Sequence, residues 1–224
     1  AGVRTTHGEE LPADFVGITI GVVPQVGFLE GSELEMDRGI LVDAYFRTNL
    51  PDVYALGDCA QFREATPGLK PIEQLWYSAK RHGEYLGKAL AGQETGPYDR
   101  GLFYNSAKFL DIEYQVYGQI AADRPAGVAT LYWQHPSQNK AIRLDYDAAD
   151  GGLRGIHTLG VRYKQAVCEG WLAARTPIRQ VLPLLHHANF DPEFSERYEA
   201  ALIRQYNQQH PQQEALPLPA PRGT

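Results

Sequence analysis

The chain has 224 residues, 43% of them hydrophobic, with 21 Lys and Arg against 27 Asp and Glu for a formal net charge of −6. This is enough apolar content for one large or two modest cores, and the acidic balance, with no Lys- or Arg-rich run, argues against nucleic acid or an anionic membrane as a partner. No apolar stretch reaches transmembrane length, and Cys59 and Cys168 stand far apart outside any Cys-x-x-Cys pair, so neither a zinc site nor a disulfide framework is indicated and a cytoplasmic, reducing setting is expected.

The chain opens on Ala1 and its one methionine is Met36, so it is expected to be a fragment of a longer protein. Residues 1–14 are polar, with turn material around Gly8 and Pro12. Residues 15–20, Phe-Val-Gly-Ile-Thr-Ile, read as a strand stopped by Gly21 and Pro24. Residues 30–37 are acidic and read as a solvated loop. Residues 39–43, Gly-Ile-Leu-Val-Asp, predict the next strand. Residues 53–56, Val-Tyr-Ala-Leu, lie between Pro51 and Gly57 and predict a short buried strand that turns on the glycine.

That predicted strand ends in Gly57 and Asp58. A carboxylate just beyond a buried strand stands where open α/β sheets bind ligands, and it accepts hydrogen bonds from sugar or ribityl hydroxyls. The small residues Cys59 and Ala60 that follow would let backbone N–H groups approach a phosphate. Alone, a strand followed by Gly-Asp also fits any exit from a sheet into a loop.

Residues 71–90 place Ile72, Leu75, Trp76, Ala79, Leu86 and Leu90 at helical spacing, with Pro71 suited to the first turn and Gly92 closing the element. A helix start carries unpaired N–H groups and partial positive charge, which stabilises negative charge on a ligand. The Trp76 side chain is expected to pack in the core. Gly96 and Pro97 mark a boundary between a first domain, 1–97, and a second, 98–208. In the second, runs at 112–120, 128–134, 141–146 and 153–159 are separated by short turns and predict an antiparallel meander. Helices are predicted at 161–174, 177–187 and 195–208, a strands-then-helices layout that implies an α+β layer pair. The Gln- and Pro-rich residues 209–224 predict a flexible tail.

Arg47, Thr48, Pro51, Tyr54, Ala55, Gly57 and Asp58, preceded by the 39–43 strand, resemble the second flavin-binding signature of the FAD-dependent pyridine-nucleotide oxidoreductases. Leu11, Pro12, Ala13 and Asp14, then Gly21 and Pro24, resemble the segment in which that family returns from its nicotinamide domain to its flavin domain, although Gln25 stands where asparagine is usual. The resemblance implies a fold, the C-terminal portion of an FAD-binding Rossmann-like α/β domain followed by an α+β interface domain with an antiparallel sheet. It implies that Asp58 holds the ribityl chain of FAD, that Gly57 before it belongs to the same cofactor site, and that Cys59 and Ala60 meet the pyrophosphate through backbone. It also implies that Gln74, Leu75 and Trp76 face the flavin from the helix start, chiefly through backbone, with Trp76, Ala79 and Gly83 matching the family's pattern there.

His186 and His187 lie where the disulfide-reductase branch keeps a catalytic histidine, but Ala188 and Asn189 replace the proline that follows it, and adjacent histidines point to different helix faces. A surface or helix-capping role is expected for them, and the nearest branch is the ferredoxin, rubredoxin or nitrite reductase flavin module. Cys59 and Cys168 are expected to be small structural residues. No Gly-x-Gly-x-x-Gly run occurs, so the nicotinamide and first FAD fingerprints are expected upstream.

The activity implied is hydride transfer from NAD(P)H to FAD and electron delivery to an acceptor protein or small molecule, in a homodimer, with the fragment inactive alone. Two other readings stay open: a non-catalytic dimerisation or assembly module, and an unrelated α+β protein in which the Asp58 motif is coincidental.

Overall fold

The computed structural model describes residues 2–64, 66, 68–120, 122–123, 125–191 and 193–219. The chain divides into two compact units, Ala1–Thr66 with Lys70–Tyr98, and Pro67–Leu69 with Asp99–Thr224.

The first unit opens on an exposed antiparallel hairpin of β1 (Gly2–Arg4) and β2 (Glu10–Pro12), held by an Arg4–Glu10 ion pair. Residues 15–20, expected as a strand, form none: Phe15 is 87% and Ile20 92% exposed. The pattern is that of a strand, but backbone N–H and C=O groups need a neighbouring strand to pair with, and among the described residues none pairs with this stretch. The expected strand at 39–43 is present as β3 (Ile40–Val42), which pairs in parallel with β4 (Ala60–Phe62) in the register Ile40↔Ala60 and Val42↔Phe62.

Residues 53–56 also differ from expectation. They make an isolated bridge, Arg47↔Tyr54, flanked by a Thr48 N–H to Val53 carbonyl bond of 3.0 Å and an Ala55 N–H to Phe46 carbonyl bond of 3.1 Å, and the regular strand begins after the Gly-Asp pair rather than before it. The reason is local: Asp52 (φ 61°) and Gly57 (φ +75°) bend the chain on either side and leave too few residues for a ladder. Phe46, fully buried at φ 60°, is the centre of this unit's core, with ring centroids of Phe62, His82, Tyr85 and Tyr98 within 5.7 Å. Asp43 Oδ1 accepts the Tyr45 and Arg47 N–H groups and holds that left-handed turn.

The helix expected from residue 71 begins at Trp76, as α1 (Trp76–Leu90). The Phe62 N–H donates to the Pro71 carbonyl and Ile72 bridges Gln61, so residues 71–72 are drawn out beside β4 instead of coiling. His82 and Leu86 face the core. Trp76, expected in the core, is 70% exposed, with Lys80 Nζ 5.6 Å from its ring; as the first residue of the late-starting helix it lies outside the buried stripe.

The second unit is a five-stranded antiparallel sheet of β5 (Tyr104–Phe109), β6 (Ile112–Gly118), β7 (Val128–Gln134), β8 (Ala141–Asp147) and β9 (Leu153–Leu159), in the order β5-β6-β9-β8-β7. The order corrects the simple meander: β9 inserts between β6 and β8. The insertion brings Gly118 opposite Gly155, where a Cβ on either would lie 2.4 Å or less from a neighbouring carbonyl oxygen, so only glycine fits the crossing. β5 and β7 are the two edge strands.

Helices α2 (Gln165–Ala173), α3 (Ile178–Leu184) and α4 (Glu199–Gln209) bury Cys168, Leu172, Val181, Leu182, Leu202 and Ile203 against the Leu131, Ile142, Leu144 and Ile156 side chains of the sheet. Each such aliphatic burial is worth about 1.5–3 kcal/mol. The first helix starts later than residue 161 because Gln115 Oε1 takes the Tyr163 N–H and the Ala188 carbonyl takes that of Lys164. Beyond α4, where a flexible tail is expected, Asn207 exchanges two hydrogen bonds with Leu216, and Arg179 reaches Gln213 and the Glu214 carbonyl.

Candidate functional site

The residues singled out in the sequence gather in the first unit. Leu56 is extended, and Gly57, Asp58 and Cys59 form one 3₁₀ turn (Gly57–Cys59) leading into β4. The left-handed φ of Gly57 is what reverses the chain here. The turn packs on α1: a Cβ built on Gly57 would meet Ala79 Cβ at 3.8 Å, and one on Gly83 would meet Leu56 Cδ1 at 3.9 Å. Gly57 and Asp58 are thereby held against the N-terminal half of the helix that Gln74 and Leu75 lead into.

Asp58 is exposed, and among the described residues no hydrogen bond or ion pair engages its carboxylate. A carboxylate without a protein partner at the head of a fixed turn is an acceptor presented to a ligand's hydroxyl groups. The first turn of α1 begins at Leu75 with no side chain capping it, so its N–H groups keep their partial positive charge.

One expected contact is not offered in the form anticipated. The Ala60 N–H closes the turn on the Gly57 carbonyl, and Ala60 is itself buried in β4, so its amide is already used. Cys59 is half-buried, its thiol 3.5 Å from the Leu56 carbonyl.

Sequence reasoning missed His82. Its Nδ1 accepts the Gly57 N–H at 3.2 Å, its Nε2 lies 3.5 Å from Glu73 Oε2, and the rings of Phe46, Phe62 and Tyr98 surround it at 4.7, 5.8 and 5.2 Å. The signal was present: Ala79, His82 and Leu86 follow at spacings of three and four, so the histidine occupies a place on the apolar stripe.

The remaining candidates lie in the second unit. His186 and His187 sit in the 3₁₀ turn after α3, rings 4.1 Å apart. Among the described residues no group of three or more His, Cys, Asp or Glu is placed to hold a metal, and no helix is long and apolar enough to cross a membrane. Burial pushes the Cys168 thiol up to about 12. A cavity of about 320 Å³ opens on the sheet face away from the helices, lined by Thr130, Tyr132, Arg143 and His157 among others. There Arg143 is bidentate on the buried Asp145 at 2.9 and 2.7 Å, and burial, reinforced by the Arg143 charge, holds His157 below the usual histidine value. It contains none of the Gly57–Ala60 residues, and the unpartnered carboxylate makes the turn the better candidate.

Comparison with known proteins bears on this turn directly, since a family model described as pyridine nucleotide-disulphide oxidoreductase matches residues 1–83. Over residues 1–83 the chain is thus similar to that family. The nitrite reductase [NAD(P)H] of Bacillus subtilis is 28% identical over 75% of this chain and 18% of its own length. The ferredoxin-NAD(+) reductase component of the p-cumate 2,3-dioxygenase system of Pseudomonas putida is 30% identical over 79% of this chain and 41% of its own length. Among solved structures, a ferredoxin reductase from Rhodopseudomonas palustris superposes with a TM-score of 0.60 at 25% identity, covering 86% of this chain and 43% of the other. The chain thus spans less than half the length of each of these relatives. The pyridine nucleotide-disulphide oxidoreductase match contains Asp58, Gln74, Leu75, Trp76 and His82, and the likeness in fold carries on through the five-stranded sheet.

Proposed function

We propose that the chain is the flavin-side portion of an FAD-dependent NAD(P)H oxidoreductase, with the Gly57–Ala60 turn and the start of α1 as its share of the FAD site. The observation that carries this reading is the Asp58 carboxylate, unpartnered among the described residues and fixed on a turn inside the matched segment. Asp58 accepts hydrogen bonds from the ribityl hydroxyls, the Gly57–Cys59 backbone lies toward the pyrophosphate, and the uncapped α1 start, with Gln74, Leu75 and Trp76, stabilises negative charge on the reduced ring. FAD, when bound, takes hydride from the nicotinamide and passes electrons onward; the chain's residues bind, orient and supply electrostatics.

Residues 1–97 are the cofactor-binding portion and 98–208 the interface domain. The nicotinamide donor binds outside this chain, which has no Gly-x-Gly-x-x-Gly run. The names of the Bacillus and Pseudomonas relatives support a nicotinamide donor, and that of the Pseudomonas protein supports a ferredoxin as acceptor. Residues 1–224 alone bind FAD weakly or not at all and are inactive. The site of action is the cytoplasm.

The test is the anaerobic visible spectrum of the whole protein that carries this chain. Flavin bands that bleach on adding NADH or NADPH support the reading and identify the donor. A colourless protein that takes up no FAD removes it.

A second reading, assembly through the second unit, is favoured by the open sheet edge and hairpin, where Phe109 and Leu110 are exposed. Sedimentation with and without FAD separates the two: a dimer indifferent to FAD supports assembly as a function of the second unit.

A further inference from the structure

A buried imidazole has to satisfy two nitrogens, and what each meets dictates where the proton sits. His82 is 1% exposed. Its Nδ1 faces a donor that cannot be reversed, the Gly57 N–H at 3.2 Å, so Nδ1 is an acceptor and the neutral ring carries its proton on Nε2. Nε2 in turn points at Glu73 Oε2, 3.5 Å away, and has no closer hydrogen-bond partner among the described residues. That separation is at the outer limit of a hydrogen bond, so Glu73 biases the tautomer chiefly through charge.

The arrangement joins three segments of the first unit: the stretch before α1, the interior of α1, and the Gly57–Cys59 turn. The turn's other backbone closure, Ala60 N–H to Gly57 carbonyl, is internal to the turn and leaves its orientation on α1 undetermined. Packing on Ala79 and of Leu56 on Gly83 sets the turn against α1, the His82 bond fixes its backbone direction there, and the rings of Phe46, Phe62 and Tyr98 keep the imidazole from rotating.

We infer that His82, in its Nε2-protonated tautomer and backed by Glu73, is the positioning residue of the Gly57–Asp58 turn, fixing the direction in which the Asp58 carboxylate is presented without touching the ligand. The geometry stands by itself; its consequence for cofactor affinity rests on the flavin reading above.

The test has two arms. In the ¹⁵N-labelled chain, nuclear magnetic resonance reads the His82 tautomer and the exchange rate of the Gly57 amide. His82→Asn keeps an acceptor near the Nδ1 position, and His82→Leu fills the space without one. The expected result is an unprotonated Nδ1 in the natural protein, Gly57 exchange about tenfold faster in His82→Leu, and near-natural exchange in His82→Asn. If His82→Leu does not fold, the ¹⁵N–¹⁵N coupling across the Gly57 N–H to His82 Nδ1 hydrogen bond of the natural protein is read instead, with a resolved coupling expected and its absence counting against the proposal. In the whole protein, FAD is expected to bind about tenfold more weakly to His82→Leu than to His82→Asn. A protonated Nδ1, or equal Gly57 exchange in the natural and His82→Leu chains, overturns the proposal whatever flavin does. If the whole protein binds FAD and His82→Leu binds it equally well, positioning fails and the flavin reading stands. If nothing binds FAD, the flavin reading fails and the first arm alone decides His82.

Discussion

The two units differ in how their β-structure is closed. In the second, β6, β8 and β9 each have a neighbour on both sides, and Leu131, Ile142, Leu144 and Ile156 are wholly buried under the helices. In the first, β3 and β4 form a two-stranded ladder flanked by single bridges, Met36↔Ile40 and Gln61↔Ile72, and Phe15, Val16, Ile18, Ile20, Val22 and Val23 all lie at the surface. Residues 15–20 and β9 are both short apolar runs of the kind that predicts a strand; one pairs and the other does not. An apolar run states what a segment can bury, while a strand also needs an edge to bond to. The candidate cofactor turn sits in the unit whose β-structure is less closed, beside the aromatic cluster around Phe46 and joined to α1 by the His82 bond.

The contrast is sharpest at core truncation. Phe46→Ala removes the hub of the first unit and is expected to cost about 3–5 kcal/mol, read as lost amide protection in β3 and β4. Leu144→Ala in the second unit is expected to cost about 2–5 kcal/mol, read at β8 and β9. A cost below about 1 kcal/mol at Phe46 would show that its aromatic cluster does not hold the first unit together.

Next in size is one substitution made at two glycines. Gly118→Ala meets a left-handed φ of +70° and places a Cβ 2.4 Å from the Arg154 carbonyl. It is expected to cost about 1–2 kcal/mol for the backbone and about 1–3 kcal/mol more for the overlap. Gly57→Ala, at φ +75° with its nearest contact 3.8 Å away, carries only the backbone penalty of about 1–2 kcal/mol. Equal losses in thermal unfolding would contradict the packing described at the β6–β9 crossing.

A smaller effect separates the units by pH. The Ala149 N–H and the Arg154 guanidinium hold the Asp147 carboxyl down at about 2, from an ordinary value of 3.8. A depressed carboxylate contributes stability that is complete above its unfolded value and is lost as pH falls through the folded one. Protection of the turn between β8 and β9 should therefore decline between about pH 4 and pH 2, and Asp147→Asn should flatten that decline. Smallest of all is the thiol count: Cys168 is fully buried with its thiol pushed up to about 12, and Cys59 is half-buried. One reactive thiol is expected in the native chain and two in denaturant.

Much of the second unit was legible because its strands and helices are long enough for periodicity to show, and because short turns constrain which edges meet. The β6–β9 pairing was not legible, since it depends on Gly118 and Gly155 meeting across the sheet from distant positions. In the first unit β3 was legible, while the helix start was displaced by pairing of residues 71–72 with β4, a contact no local pattern announces, and the strand moved past Asp58 because the chain bends at Asp52 and Gly57. At the candidate site, Asp58 was legible as a residue but the use of the Ala60 amide was not, because it follows from the turn's closure. His82 was overlooked since a histidine on an apolar stripe reads as packing until the N–H it accepts is seen.

The central claim is that the Asp58 carboxylate is a ligand for the ribityl hydroxyls of FAD. The most direct measurement is the FAD dissociation constant of the whole protein that carries this chain, by flavin fluorescence, for the natural sequence, Asp58→Asn and Asp58→Ala. Hydrogen bonds to a charged group are worth about 1.5–3 kcal/mol, so Asp58→Ala should bind FAD roughly 10- to 150-fold more weakly, with Asp58→Asn between the two. Equal affinities in all three proteins would show that the turn presents its carboxylate to something other than flavin.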